Sequence, residues 1–457
     1  MTEYSSIFKA QRDYFLSGVT RSYDFRKKQL KKLRSMLQDH EQDLLDALYK
    51  DMRKPGFEAY SSELGFVYNE INHALRQLSR WMEPIPATAP LTVFPSKAKV
   101  IREPLGVVLI VAPWNYPVNL LITPLIGAMA AGNCAVLKPS ELVPATSSLL
   151  ARMFSENFDP DYINVVEGDG AEVVPRLMEH RFDHVFFTGS IPVGRKIYEM
   201  AARQLIPATL ELGGKSPCIV DEKVDLAVAA KRIIWGKTWN AGQTCIAPDY
   251  LLVQENIKTK LIIAMQQAIT DLLGQNVQES GDYARIINEK HFDRLITYLN
   301  DGKIVWGGQH DKQDLFIAPT LLTRVDLDMP VMQEEIFGPI LPVLSFKDKE
   351  EALGIIRQRP FPLSCYIFTK NTAFEKFFVE QLSFGGGCIN NTLVHLVNTN
   401  MPFGGVGYSG LGKYHGKYSF ETFSHYKSIT KTGTWLDVKL KYAPYKEKLS
   451  WLKIFMS

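Results

Sequence analysis

The chain has 457 residues, of which 46% are hydrophobic and 22% charged, a composition typical of a soluble globular protein and not of a disordered one. That length predicts two or more domains instead of a single core. A formal net charge of +3 spread over so many residues argues against a nucleic-acid-binding protein.

The first part of the chain, as far as Trp81, is predicted to be helical, because apolar residues recur every three or four positions beside charged ones. A proline-rich stretch, MEPIPATAPLTVFPSKAKV, then predicts an extended arm. From LGVVLIVA onward, apolar strands alternate with helices, ending with the strand HVFFTGS and the helix PVGRKIYEMAARQ. A second α/β series starts near TLELGGKSPCIV and runs to about residue 390. This alternation predicts a doubly wound parallel sheet.

One uncharged run, from Pro104 to Leu137, is long enough to cross a bilayer. Asn119, Pro124 and Asn133 interrupt it, and it divides into strand, loop, helix and strand. A buried segment of a parallel sheet produces the same uncharged pattern, and we favour that interpretation over a transmembrane helix.

The five cysteines are odd in number, far apart and without any Cys-x-x-Cys pair: Cys134, Cys218, Cys245, Cys365 and Cys388. This usage argues against a disulfide framework and against a cysteine zinc site. The first residues, MTEYSSIFKAQRDYF, lack the basic start and apolar core of a secretory signal. We therefore expect a reducing compartment and a cytoplasmic location.

A glycine turn with Gly189, Ser190 and Gly194 follows the strand HVFFTGS and leads into a helix. Backbone N–H groups at a helix N-terminus favour a bound phosphate. The spacing is not the G-x-G-x-x-G fingerprint, so an ordinary strand-to-helix turn is the simpler interpretation of this motif alone. Lys138 and Glu141 in LKPSE follow another strand, at the edge where ligands collect in such sheets. They either hold ribose hydroxyls or are two solvated charges that cap a helix.

Two residues have settings that favour chemistry. Cys245, in WNAGQTCIAP, lies among glycines and small polar residues, past a helix that Gly242 is placed to end. The C-terminal end of a helix does not stabilise a thiolate, so a nucleophilic Cys245 requires a nearby base or cation. Glu211, in the apolar stretch LELGGK, has either a structural partner or a raised pKa that suits a base.

Asn115 lies in the loop PWNYP, where two prolines restrict the backbone. A side-chain amide on a rigid loop can stabilise an oxyanion, and it can equally stabilise its own turn. His180 and His184 straddle a helix end and a strand start and lack a third ligand, so we predict no metal site. The cationic, amphipathic tail YKEKLSWLKIFMS suits a membrane surface or a partner subunit, and we favour the partner subunit.

Seven motifs together resemble the NAD(P)-dependent aldehyde dehydrogenases, and they occur in that family's order: PWNYP, LKPSE, FTGS with Gly194, LELGGK, GQTC, EEIFGP and MPFGGVGYSG. The resemblance covers nearly the whole chain, and KYHGKYSFETFSH is similar to the class 3 branch, whose members are typically dimers. It implies an α/β fold with a doubly wound, Rossmann-like NAD(P)-binding domain (residues 1–81 and 103–210) and an α/β catalytic domain (211–399). Residues 82–102 and 400–457 would form a small β oligomerisation arm and C-terminal tail of a homodimer.

The resemblance also implies a mechanism. Cys245 would attack an aldehyde carbonyl, and the side-chain amide of Asn115 with the Cys245 N–H would hold the oxyanion. Loss of a hydride to the nicotinamide would leave a thioester. Glu211 would activate the water that hydrolyses this thioester to the carboxylic acid.

The residues implied at the cofactor are Gly189, Ser190, Ile191, Pro192, Val193 and Gly194 for the pyrophosphate, Lys138 and Glu141 for the adenosine ribose, and Trp114, Glu335 and Phe337 for the nicotinamide half. Tyr116, Trp239 and Phe403 would line the substrate tunnel, an aromatic lining that favours medium-chain or aromatic aldehydes. Glu141 should bond a free ribose 2′-hydroxyl and repel a 2′-phosphate, so we expect NAD with some use of NADP.

Two rival functions use the same cysteine. In an acylating dehydrogenase the thioester passes to coenzyme A, but acylating relatives commonly lack the base that Glu211 supplies. A cysteine hydrolase leaves the Gly189 turn, Lys138 and EEIFGP unexplained. The stretch NNTLVHLVN has no function that the sequence reveals.

Overall fold

The computed structural model describes residues 4–456, and its N-terminal part is helical as predicted. Helices α1–α5 span Ser5–Leu16, Tyr23–Asp39, Glu41–Met52, Gly56–Ala59 and Gly65–Met82. A single π-helical turn, Tyr60–Leu64, joins α4 to α5. Such turns occur frequently at functional sites, and this one lies beside the cavity described below.

The proline-rich stretch forms an extended arm of two strands, β1 (Ile85–Ala87) and β2 (Ser96–Pro104). β2 pairs antiparallel along its whole length with a strand near the C-terminus, Ser424–Thr432. Most residues of the C-terminal strand are exposed and most of those of β2 are half-buried, so hydrogen bonds between the strands, and not a core of their own, hold the arm together.

The predicted alternation of strands and helices is confirmed in the next segment. Its elements are β3 (Val107–Val111), α6 (Asn119–Ala131), β4 (Cys134–Lys138), α7 (Pro144–Asn157), β5 (Ile163–Val165), α8 (Gly170–Leu177), β6 (His184–Thr188), α9 (Ile191–Arg203) and β7 (Ala208–Glu211). They form a parallel sheet in the order β7–β6–β3–β4–β5. The chain winds outward from β3 and returns at β6, so the carboxyl ends of these neighbouring strands flank a topological switch point.

The uncharged run is therefore part of this buried sheet. β3 and β4 are buried along their whole length, and α6 is buried at twelve of its thirteen positions because both the sheet and other helices cover it. Within residues 4–456, no helix is long and apolar enough to cross a membrane.

A second α/β segment follows, with a seven-stranded sheet and a separate pair of short strands. Its elements are β8 (Pro217–Val220), α10 (Leu226–Thr238), β9 (Tyr250–Gln254), α11 (Lys258–Leu273), α12 (Glu289–Thr297), β10 (Lys303–Trp306), β11 (His310–Asp311), β12 (Phe316–Ile317), β13 (Thr320–Thr323), α13 (Pro330–Gln333), β14 (Ile340–Phe346), α14 (Lys349–Arg357), β15 (Ser364–Phe368), α15 (Thr372–Gln381) and β16 (Gly386–Ile389). The sheet order is β10–β13–β14–β9–β8–β15–β16, parallel except at β10. Separate apolar clusters pack on its two faces.

The C-terminal segment returns to the first sheet. It comprises β17 (Gly410–Leu411), α16 (Gly416–Thr422), β18 (Ser424–Thr432) and α17 (Leu449–Met456). β17 pairs antiparallel with β7. The sequence predicted a parallel sheet, and that prediction is wrong at this edge strand. This short edge strand brings the glycine-rich motif MPFGGVGYSG against Glu211.

Candidate active site

A cavity of about 430 Å³ brings five of the predicted residues together. Cys245, Glu211, Tyr116, Trp239 and Phe403 all contribute to its wall. They come from β7, from the loops after β3 and α10, and from the C-terminal segment, so their proximity is a product of the fold.

The loop that carries Cys245 has an unusual backbone. Helix α10 ends at Thr238, before the predicted Gly242, and a tight turn follows in which Asn240 and Ala241 have φ of 52° and 50°. Gly242 has φ of 74°, and a Cβ there would lie 2.3 Å from the carbonyl oxygen of Gly338. Only glycine fits that position, and the turn carries the cysteine away from the helix axis.

Gln243 anchors this loop through its side chain. The Gln243 Oε1 accepts the N–H of Ile287 at 3.0 Å, and the Nε2 donates to the carbonyl oxygens of Asn240 (3.1 Å) and Arg285 (2.9 Å). The hydroxyls of Tyr116 and Thr244 lie 2.5 Å apart. These buried bonds fix the backbone immediately before the cysteine.

Asn115 reaches the same loop from the end of β3. Its side chain is 2% exposed, and its Nδ2 donates to the carbonyl oxygen of Gln243 at 3.1 Å. The interpretation that this amide stabilises its own turn is therefore wrong. One amide N–H bonds the cysteine loop, and the second is left to donate elsewhere.

Glu211 ends β7 and is 2% exposed. Neither carboxyl oxygen has a hydrogen-bond partner in the part of the chain that the structure describes. Of the two alternatives for Glu211, a structural partner or a raised pKa, the first is therefore excluded among the described residues. Burial raises the pKa of Glu211 well above its usual value, because the apolar surroundings disfavour the charge. A carboxyl group in this state can take up a proton near neutral pH.

The thiol of Cys245 requires such a base. Burial raises its pKa far above the ordinary value, and the carboxyl groups of Glu335 and Glu211 raise it further, while the N–H groups of Cys245 and Ile246 lower it. The side chains whose charges act on the sulfur are thus acidic, and the thiol is protonated at neutral pH. A partner that removes the proton is a precondition for nucleophilic attack.

The glycine turn predicted to bind the cofactor leads into a helix with an uncapped N-terminus. Ser190 is the N-cap of the thirteen-residue helix α9, and its side chain makes no capping hydrogen bond. The first backbone N–H groups of the helix therefore have no cap to compete with a phosphate. A Cβ on Gly194 would lie 2.6 Å from the Cδ2 of Leu212, so glycine permits the close packing of helix on strand.

Lys138 and Glu141 lie at the carboxyl end of β4. Lys138 is only 1% exposed, so the interpretation as two solvated charges is wrong for it. Its Nζ donates to the carbonyl oxygen of Pro139 (2.6 Å) and to the Oε2 of Glu141 (3.1 Å). Glu141 lines a second cavity of about 170 Å³. Glu167, at the end of the neighbouring strand region, lines it too and was not identified from the sequence.

Trp114, Glu335 and Phe337 also converge. The rings of Trp114 and Phe337 lie 5.4 Å apart at 78°. Burial, with a smaller contribution from the charge of Asp249, raises the pKa of Glu335 to about 8, and a hydrogen bond from the N–H of Gly214 opposes this rise. A Cβ on Gly213 would lie 2.1 Å from the Glu335 Oε2, so glycine allows the carboxylate to cross the backbone there.

Gly213→Ala tests this contact. The added methyl group displaces the Glu335 carboxyl group, and we expect dinucleotide affinity to fall roughly fivefold, the size of one lost hydrogen bond. Titration of intrinsic fluorescence with NAD measures it. Gly354→Ala on α14, where a Cβ meets nothing within 4 Å, is the matched control and should bind NAD unchanged.

Several wall residues were missed by sequence reasoning. They share an apolar side chain facing the 430 Å³ cavity, and they are Phe57, Phe66, Leu120, Trp235, Leu393, Val394, Leu396 and Val397. The stretch NNTLVHLVN thus has a function as part of the wall. The sequence offered one signal for this position in the wall, namely four apolar residues in an otherwise polar loop.

Among the described residues, no group of three or more His, Cys, Asp or Glu side chains could hold an ion. The Nε2 of His184 instead lies 3.0 Å from the Thr209 hydroxyl in the core.

Comparison with known proteins decides the family, because the aldehyde dehydrogenase family profile matches residues 3–429. The chain belongs to the aldehyde dehydrogenase family. It is 48% identical over 450 residues to the 4,4'-diaponeurosporen-aldehyde dehydrogenase of Staphylococcus aureus (strain NCTC 8325 / PS 47), with 98% of both chains covered. It is 46% identical over 458 residues to aldehyde dehydrogenase family 3 member H1 of Arabidopsis thaliana, covering 99% of this chain and 94% of the relative.

Solved structures agree. A substrate-bound Staphylococcus aureus AldH superposes with a TM-score of 0.98 at 47% identity over 100% of both chains. A betaine aldehyde dehydrogenase of Staphylococcus aureus with NAD+ has a TM-score of 0.84 at 28% identity, covering 96% of this chain and 88% of that one. A Methanocaldococcus jannaschii glyceraldehyde-3-phosphate dehydrogenase with NADP has 0.85 at 27% identity, covering 95% of each.

This aldehyde dehydrogenase is therefore an oxidoreductase of the class 3-like branch that converts aldehydes to carboxylic acids with NAD(P). The predicted family, fold, reaction and cofactor class are confirmed.

Proposed function

We propose that Cys245 is the nucleophile of this oxidation, Asn115 the oxyanion donor and Glu211 the base. The observation that carries the assignment is that an unpartnered, buried Glu211 and Cys245 line one cavity, while the Asn115 amide bonds the cysteine loop. This combination provides a proton acceptor, a nucleophile and a donor for the developing negative charge.

The proposed reaction consists of thiol addition, hydride transfer and hydrolysis of a thioester. Glu211 takes the Cys245 proton, and the sulfur adds to the aldehyde carbon to form a thiohemiacetal whose oxyanion accepts the free Asn115 N–H. NAD(P), when bound, supplies the acceptor for the hydride that leaves this carbon. Glu211 then releases this proton to solvent, and its restored carboxylate takes a proton from water, whose oxygen attacks the resulting thioester. The carboxylic acid leaves, and Cys245 regains its proton.

For the cofactor we propose the turn from Gly189 to Gly194, including Ser190, Ile191, Pro192 and Val193, at the pyrophosphate. Lys138 and Glu141 would hold the adenosine ribose, with Trp114, Glu335 and Phe337 at the nicotinamide half. The uncapped start of α9 and the second cavity at Glu141 support this assignment. We expect NAD to be preferred, with some use of NADP.

Glu141→Gln should shift that preference. The neutral side chain keeps a hydrogen-bonding oxygen and loses the charge that repels a 2′-phosphate, so we expect the ratio of kcat/KM for NADP over NAD to rise roughly tenfold. Steady-state rates with both dinucleotides measure the ratio. Glu172→Gln, an exposed acid in the first turn of α8, is the control and should leave it unchanged.

The substrate range follows from the cavity wall. Tyr116, Trp239 and Phe403, with the further apolar side chains, favour medium-chain aliphatic or aromatic aldehydes. The Staphylococcus aureus relative is named for a long apolar aldehyde, which supports a preference for apolar substrates here.

The decisive assay is NAD reduction with a panel of aldehydes and no coenzyme A. We expect steady turnover with medium-chain and aromatic aldehydes, with the free acid as product. Turnover only when coenzyme A is added would favour the acylating reaction, and good rates only with two- or three-carbon aldehydes would refute the substrate range.

We further propose the division into an NAD(P)-binding domain (1–81 and 103–210), a catalytic domain (211–399) and an oligomerisation arm with tail (82–102 and 400–457). The two sheets and the three-stranded β1–β2–β18 sheet support this division, but β17 pairs with β7 of the first sheet and α16 packs on α6, which ties residues 410–422 to the NAD(P)-binding domain. A homodimer in the cytoplasm, with the tail against a partner subunit, stays a prediction. Analytical ultracentrifugation tests the oligomeric state.

A further inference from the structure

A buried ion pair from the N-terminal helices lies behind the site. The Nζ of Lys54, just after α3, is 2.5 Å from the Oε1 of Glu63 in the π-helical turn. Both side chains are completely shielded from solvent. Burying two charges is costly, so further hydrogen bonds must satisfy them, and their remaining partners reveal what the pair does.

Those partners all belong to the loop that contains Asn115. The Lys54 Nζ donates to the carbonyl oxygen of Asn115 at 2.9 Å and lies 4.3 Å from the centre of the Tyr116 ring. The Glu63 Oε2 accepts the N–H groups of Val118 and Asn119, both at 3.0 Å. The ion pair thus holds this loop at both ends.

A second set of bonds fixes Asn115 from the cysteine side. The Asn240 Nδ2 donates to the same Asn115 carbonyl oxygen at 3.0 Å, and the backbone N–H of Asn240 donates to Glu58 at 2.9 Å. With the Asn115 Nδ2 also bonded to Gln243, the backbone and one amide N–H are fixed. Because the amide group is planar, the direction of its second N–H is then fixed too.

We propose that Lys54 and Glu63 are positioning residues for the oxyanion donor. They contact no reacting atom and act by holding the Asn115 backbone where its free amide N–H meets the developing oxyanion. This inference rests on the role proposed above for Asn115, since an amide that stabilises charge in a transition state must be held to a fraction of an ångström.

The sharpest variant is Lys54→Met together with Glu63→Gln. Because both charges are removed together, neither residue is left as an unpaired buried ion. The glutamine side chain keeps an oxygen that can accept the Val118 and Asn119 N–H groups. We expect thermal stability close to wild type and kcat lowered roughly 10²-fold, with KM for NAD unchanged. The alkylation rate of Cys245 by iodoacetamide should not change, because that reaction forms no oxyanion.

A double-mutant cycle separates positioning from a general structural effect. Asn115→Ala alone should lower kcat by roughly 10²–10³-fold. If the pair acts through Asn115, adding the Lys54 and Glu63 changes to Asn115→Ala should lower kcat by no more than about threefold further. The inference would be overturned if the combined variant lost kcat by the product of the two separate effects. It would also be overturned if Lys54→Met with Glu63→Gln kept wild-type kcat, or if its alkylation rate fell together with kcat. An unaffected kcat in Asn115→Ala would instead refute the proposed oxyanion donor.

Arg26→Met is the matched control. This buried guanidinium donates to the carbonyl oxygen of Ala130, near the opposite end of the helix that begins at Asn119. It should lower the melting temperature while kcat stays within about twofold; an equal loss of kcat would make the Lys54 effect structural and overturn the inference. If the charge-free variant does not fold, Lys54→Met alone, which removes the bond to the Asn115 carbonyl oxygen and in which Glu63 can become neutral by protonation, replaces it, and a wild-type kcat there would have the same meaning.

Discussion

Cys245→Ser is expected to abolish aldehyde oxidation, lowering kcat by roughly four orders of magnitude or more. A serine hydroxyl is a far weaker acid than a thiol, and Glu211 cannot deprotonate it to a useful extent. Dinucleotide affinity should be unchanged, because the exchange of one atom leaves the turn at Gly189 intact. Absorbance of the reduced cofactor measures the rate, and fluorescence titration measures the affinity.

Cys388→Ser provides the control for this change. Cys388 is half-buried on β16, with its sulfur 3.5 Å from the Nδ1 of His395 and outside the proposed machinery. It should retain kcat within about twofold, as changes away from key features usually do. Residual oxidation within tenfold of wild type in Cys245→Ser would remove this cysteine from the nucleophile role.

Glu211→Gln is expected to convert turnover into a single burst. The amide has the shape of the carboxyl group but cannot accept a proton from Cys245 or from the hydrolytic water. Cys245 then loses its proton more slowly, to solvent, while hydrolysis is slowed further, so the thioester forms and accumulates. Reduced cofactor should appear in an amount equal to the enzyme, followed by a steady rate lowered roughly 10²–10⁴-fold. Rapid mixing with a saturating aldehyde resolves the two phases.

The pH profile supplies an independent readout of the same residue. A base acts only when deprotonated, and burial raises the pKa of Glu211. In the wild type the steady rate should therefore rise with pH from neutral to alkaline conditions, and this limb should be absent in Glu211→Gln. A variant with wild-type turnover and an unchanged profile would show that another group activates the water.

The strand and helix order was predictable because it depends on local periodicity. Buried strands such as β3 are continuous apolar runs in the sequence. The motifs that follow β3, β4 and β6 meet because parallel strands have their carboxyl ends at the same edge of the sheet. The strand order could therefore place Asn115, Lys138 and Ser190 at this edge, but the roles expected of them came from the resemblance to the family.

Contacts between distant segments were not predictable in this way. Lys54 lies 61 positions from the Asn115 carbonyl that it bonds, and no periodicity encodes which buried ammonium meets which carbonyl. The same holds for Phe57 and Leu393, which enter the cavity from opposite ends of the sequence. The helix end at Thr238 was misjudged because the backbone of Asn240 and Ala241 takes the left-handed conformation without glycine.

The most direct measurement is the intact mass and peptide map of Glu211→Gln after mixing with NAD and a medium-chain aldehyde. We expect one acyl group per chain, with the mass of the aldehyde less two hydrogens, on the peptide that contains Cys245 and only when NAD is present. An acyl group on another residue, or reduced cofactor without any acyl-enzyme, would contradict it.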